Sequence, residues 1–323
     1  MSLVGGLREL LRPPPHRGPL VAAGAVALAV GLALEVLRLR DRLPVGVHAA
    51  LLLCAGALVF WLGAQAPNED GVPPAYQSVL LATGLPLLFA GLLAATAGLG
   101  GSLDPPPVWA LMVTCAAIAL VALWPALERN SAISLLIAAV LATAALQFAW
   151  SWVFGSSSPE PYRWLAFVCA GALVLASLTL REPARRHAEV LVDAGGLAIA
   201  WIGVTSLVAT PFGALGLPVF WELVLLAAGF GLVAFGALDR SPGPAYLGVV
   251  NLVLFIAAAA ASPDRTLFWW PLLLLAAGVA MLAAGLRPRR PLPPEPPPYR
   301  AGEAPLAARA DDREAVVRVR DES

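Results

Sequence analysis

Few residues in this chain have side chains suited to chemistry, and those that stand inside its apolar stretches are His48, Gln147, Asp193, Glu222 and Asn251. Asp193 follows Glu189 by four residues and Arg186 by seven, which on a helix puts all three on one face. Such a ladder is either a charge-balanced helix start, where the helix dipole favours acids, or a relay for protons or cations. Glu222 follows Pro218, stands beside Trp221 and opens its own apolar stretch, as a first-turn carboxylate does. With His48, which opens another, it would supply the acid and base of an outer-facing site. Gln147 and Asn251 lie deeper, where amides either bond across helices or serve as substrate ligands. Glu35 has Arg38 three residues on, a local ion pair.

The surrounding sequence sets the solvent in which these groups work. The chain has 323 residues, 59% of them hydrophobic and 13% charged, with a mean hydropathy of +0.78. Soluble domains carry about 25% charged residues. Apolar runs of about 17 to 22 residues, long enough to cross roughly 30 Å of hydrocarbon as helix, cover 19–37, 45–64, 77–98, 108–124, 133–154, 162–180, 189–210, 217–237, 245–261 and 266–286. They are continuously apolar, whereas strands of a membrane barrel alternate over about ten residues. The expected fold is therefore all-α, a polytopic transmembrane bundle of about ten spans in a cell membrane, with residues 19–286 as its membrane domain. Residues 1–18 form an interfacial segment, with Leu3, Leu7 and Leu10 on one face before Pro13 to Pro15. Residues 287–323, opening RPRRPLPPEPPPYR, read as a disordered tail with polyproline II character. That tail is either a Pro-rich ligand for a protein partner or a solvated anchor for the last helix.

Composition also excludes function classes. Net charge is zero and Arg gathers at the ends of runs, so nucleic acid finds no basic patch; membrane lipids are the expected partners. Every one of the 21 basic residues is Arg, as GC-rich coding produces. A phosphate-binding loop and a Schiff-base enzyme both need Lys, so neither is present. Cys54, Cys115 and Cys169 lie singly in separate runs, as apolar packing residues do. No HExxH, CxxC, GxSxG, dinucleotide-binding glycine triplet or N-x-S/T acceptor occurs, and neither metal nor cofactor is expected.

Small residues at four-residue spacing, Ala23, Ala27 and Gly31 in the first run and Ala227 and Gly231 in the eighth, predict helix-contact faces. Pro86 with Gly84 predicts a bend in the third run. Trp109, Trp150, Trp152, Trp164, Trp221, Trp269 and Trp270 fall at the outer ends of their runs and Trp61 and Trp124 at the inner, an aromatic belt or, in a sharper reading, a surface for a lipid-linked substrate.

The segments RRHAEVLVDAGGLAI, WELVLLAAGFGLVAFG and SPGPAYLGVVNLVLF resemble stretches of uncharacterised multi-pass membrane proteins of GC-rich bacteria. The resemblance implies the same architecture and carries no activity. Ten spans also equal the number in the drug/metabolite transporter superfamily, an analogy of count alone. Three readings remain open: a non-enzymatic membrane component, a secondary transporter of a small or apolar solute using the bent third span with Gln147 and Asn251, and a membrane enzyme acting on a lipid-linked substrate.

Arginine placement predicts both termini in the cytoplasm. Arg8, Arg12, Arg17, Arg129, Arg181, Arg185, Arg186, Arg240 and the tail arginines then lie inside, while Arg38, Arg40, Arg42, Arg163 and Arg265 lie outside. The first hairpin, with three arginines outside, runs against the rule. An impermeant thiol reagent should label Arg38→Cys in intact cells and a cysteine in the tail only after permeabilisation; the reverse pattern refutes the orientation.

Overall fold

The computed structural model describes residues 17–39, 42–67, 73–99, 105–155, 158–207, 217–261, 275, 276, 278 and 279. Among these there is helix and no strand, and nine helices are long and apolar enough to cross a membrane. They are α1 (Gly18–Arg38), α2 (Val45–Ala64), α3 (Ala75–Gly98), α4 (Val108–Arg129), α5 (Ala132–Phe154), α6 (Glu160–Leu180), α7 (Arg185–Leu207), α8 (Val219–Asp239) and α9 (Pro242–Ala261). All nine lie in one compact unit, Met1–Arg265, and Thr266–Ser323 form a second. The protein is thus an all-α integral membrane protein by helix length and composition. Residues 1–16 of the N-terminal interfacial segment, the Pro-rich tail and all but four residues of the tenth expected span lie outside the described residues.

Punctuation in the sequence explains the helix ends. Pro44, Pro74, Pro107 and Pro218 immediately precede α2, α3, α4 and α8, because Pro fits a helix entry and not the backbone hydrogen bonding of an interior. Left-handed residues end α4 at Asn130, α5 at Gly155 and α8 at Arg240. Asn130 and Ser131 alone separate α4 from α5, a connection short enough to force an antiparallel hairpin.

Packing follows the chain and then departs from it. The hairpins α2–α3, α4–α5, α6–α7 and α8–α9 are the closest pairs, and α7 also packs on α5, α8 and α9. Helix α7 is accordingly the central element, 67% buried across its membrane window against 11% for α1.

Glycine makes the tightest of these contacts. A Cβ on Gly84 would stand 2.7 Å from the Phe60 backbone nitrogen, one on Gly56 2.8 Å from that of Leu88, and one on Gly91 2.9 Å from that of Leu53. Gly56 and Gly63 on α2 and Gly84 and Gly91 on α3 are each seven residues apart, near two full turns, so each pair faces its partner helix. Gly229 and Gly236 repeat the spacing on α8 and meet α9 at Gly248 and Ala245. Close backbone approach of this kind is how helices associate where lipid is as apolar as they are.

One sequence expectation is corrected here. Ala23, Ala27, Gly31, Ala227 and Gly231 are exposed, and nothing lies within 4 Å of a Cβ built on Gly31 or Gly231. The first helix instead buries Gly18, Ala22 and Ala25. Four-residue spacing marked a small face, but the faces in contact repeat every seven. Gly84 serves the contact with α2, and α3 continues as helix through Pro86 for 24 residues.

Substituting Gly84 by Ala should cost about 1–3 kcal/mol, because backbone atoms cannot yield. Gly231→Ala should leave stability unchanged or raise it by up to about 1 kcal/mol, since Ala is the better helix former. Thermal unfolding in detergent compares the two; equal effects would refute the assigned contact face.

Candidate functional site

Charged residues collect at one end of the bundle, where α6 and α8 finish and α7 and α9 begin. Arg181 of α6 pairs with Asp239 of α8 and lies over the Phe235 ring, 5.8 Å from its centroid. From α7, Arg185 donates its Nε–H to Glu189 Oε1 at 3.2 Å and an Nη2–H to the Asp239 carbonyl at 3.2 Å. Ser241, just before α9, donates to Glu189 Oε2 at 3.5 Å. Asp193 is half-buried, and its carboxylate oxygens lie 2.6 and 2.9 Å from where a Cβ on Gly243 would stand. Its charge therefore faces the first turn of α9, where the helix dipole favours an anion. The ladder runs through Arg185, four residues before Glu189, rather than through Arg186.

At the opposite end a cation is buried. The Arg163 side chain is 3% exposed and donates from Nη1 to Glu160 Oε1 at 2.8 Å, leaving its Nε and Nη2 groups without hydrogen-bond partners. Glu160 Oε2 accepts from the Trp221 indole N–H at 2.9 Å. Trp221 is thus buried rather than part of the outer belt, and it packs edge-on to Trp164, Phe167 and Phe220. Glu222, its neighbour, is fully buried.

His48 is buried in the first turn of α2, its Nε2 without a partner. Helix α2 packs on α1 and α3, and α8 on α7 and α9, so the structure does not bring His48 to Glu222. The deep amides cross between helices. Gln147 Oε1 on α5 accepts the Trp201 indole N–H of α7 at 3.0 Å. Asn251 on α9 donates to the Gly196 carbonyl of α7 at 3.3 Å and to the Leu247 carbonyl at 2.9 Å. Among the described residues no cluster of His, Cys, Asp and Glu is arranged to hold a metal ion.

Between the two ends lies a groove of about 840 Å³, walled by α6 and α8 and floored by α7. Val192, Gly195 and Ile199 form its floor, and Gly171 and Gly231 face it from opposite walls with nothing within 4 Å. The hydroxyl of Ser177, which also lines it, is turned back onto the Val174 carbonyl at 2.6 Å. The walls are therefore apolar throughout.

Sequence reasoning missed Arg163, Glu160, Trp201 and the Arg181–Asp239 pair. The three-residue spacing of Glu160 and Arg163 was available as a signal; the indole that completes their set stands 61 residues away. The sequence matches no known family, no curated protein and no solved structure.

Glu160→Gln should destabilise the protein by about 1–3 kcal/mol, because it leaves a buried guanidinium without its counter-charge, discounted since Glu160 is itself partly exposed. Trp221→Phe, which removes one hydrogen bond, should cost about 1 kcal/mol. Equal midpoints for wild type and both variants in detergent would show that this cluster does not hold the helices.

Proposed function

We propose that this protein is a non-enzymatic component of the cell membrane whose working surface is the lateral groove between α6 and α8, and that it holds an apolar or amphiphilic molecule of the bilayer there. The observation that carries the reading is the contrast between the polar groups and the groove. Gln147 and Asn251 bond between helices, so the deep amides that transport would use are engaged in fastening the bundle. The groove is apolar, and pockets of about 300–1,000 Å³ are the size that takes small ligands. For an enzyme acting on a lipid-linked substrate, His48 and Glu222 stand on helices that pack on different partners. We further infer that both termini are cytoplasmic, from the arginine distribution.

Native mass spectrometry of the detergent-purified full chain tests the proposal. Bilayer lipids should remain bound to the wild type and be lost from Ala227→Phe and Gly231→Phe, which place rings in the groove without touching the polar clusters. The bound lipids should be chemically unchanged after incubation. Retention by the filled variants refutes the groove as the working surface, and altered lipids refute the non-enzymatic reading.

A further inference from the structure

We propose that the occupant of the groove is a phospholipid with an anionic headgroup, its acyl chain along α7 between α6 and α8 and its phosphate on Arg181 and Arg185; this rests on the groove being the working surface. The groove does not stop at its apolar walls. Ser177, Leu178 and Phe235 line both it and a small recess that continues to Arg181, Arg185, Glu189 and Asp239. An apolar slot leading to cations is the pattern of an amphiphile with a negative head.

Charge at that mouth is layered. The arginine side chains are 51% and 64% exposed, whereas those of Asp239 and Glu189 are 13% and 31% exposed. The carboxylates sit behind and the guanidiniums in front, held there by Asp239, by Glu189 and by the Phe235 ring. Each Arg has five N–H donors in a fork that suits phosphate. Arg181 spends one on Asp239, and Arg185 spends one on Glu189 and one on the Asp239 carbonyl, so both keep donors for an incoming phosphate.

Length fits a chain that starts at this rim. From Phe235 back to Phe220 on α8 is fifteen residues, about 22 Å of helix, longer than the ~15 Å depth of one leaflet's hydrocarbon. The aromatic cluster of Trp164, Phe167, Phe220 and Trp221 closes the far end. In the orientation inferred above, the arginine mouth faces the cytoplasmic leaflet, which carries anionic lipid and attracts nearby Arg.

The test uses the full-length protein in vesicles that contain either phosphatidylglycerol or phosphatidylcholine, each with a photoactivatable group near the end of one acyl chain, and maps the labelled residues by mass spectrometry. Labels are expected on the groove faces of α6 and α8, more from phosphatidylglycerol by about fivefold or greater, and this comparison needs no variant. Substituting Arg181→Gln together with Arg185→Gln should reduce phosphatidylglycerol labelling to the phosphatidylcholine level. Equal groove labelling by both lipids overturns the headgroup assignment and leaves the groove reading standing. Absence of groove label from both overturns the groove reading as well. Disulfide linkage of two chains through Gly231→Cys, in place of lipid label, assigns the groove to a second copy and overturns the proposal.

Discussion

Hydrocarbon offers no water to a stray amide, so every N–H and C=O within a span must find its partner inside the protein. Helices meet this demand along their own length, and the described chain is built from helices of 20 to 24 residues for that reason. The same demand then falls on side chains. An Asn or Arg at depth either bonds to another helix or leaves donors and acceptors orphaned. Gln147, Asn251 and Glu160 each join two helices, which makes these polar residues part of the architecture.

Where water does not drive helices together, two other means must, and both are used here. Glycine brings antiparallel neighbours close, as Gly56 and Gly84 do between α2 and α3 or Gly229 and Gly248 between α8 and α9, and it also seats α9 on α7 where Gly203 meets Leu254. Directional polar bonds join helices two apart in sequence, which run parallel. Gln147 reaches Trp201, Glu160 reaches Trp221, Arg181 reaches Asp239 and Asn251 reaches Gly196, across 54 to 61 residues in each case. Short loops deliver the antiparallel partner without further help. The parallel partner is separated by a whole span, and a directional bond fixes which helix it is and at what height.

This division explains what could be read from the sequence. Apolar run length is a local property, and each of the first nine expected spans coincides with a helix. Where the edges differ, the cause is specific: α4 passes beyond Trp124 to Arg129 because Pro125 is accommodated in its last turns, and α7 starts at Arg185 because a charged first turn extends past the hydrocarbon. Positions of Asp193, Glu222, Gln147 and Asn251 along their spans were equally legible. Their partners were not, because pairing at separations near two spans leaves no local pattern. Glycine misled for a related reason: small residues are frequent enough that four-residue matches occur on faces such as that of Gly31, where among the described residues nothing lies within 4 Å of a built Cβ.

The groove is a consequence of how α6 and α8 are tied. They are parallel and joined at both extremities, by Glu160 with Trp221 at one and Arg181 with Asp239 at the other. Between these ties each wall presents glycine to the opening, Gly171 on α6 and Gly231 on α8, and α7 lies behind. Bonds at the ends hold the walls apart as firmly as they hold them together, because helices are stiff over this length and cannot sag into the gap. An unfilled apolar slot in water would collapse or gather partners; in a bilayer, acyl chains are already the solvent that fills it. A groove of this construction therefore needs no moving part to admit its occupant, and selectivity passes to whatever stands at its mouth.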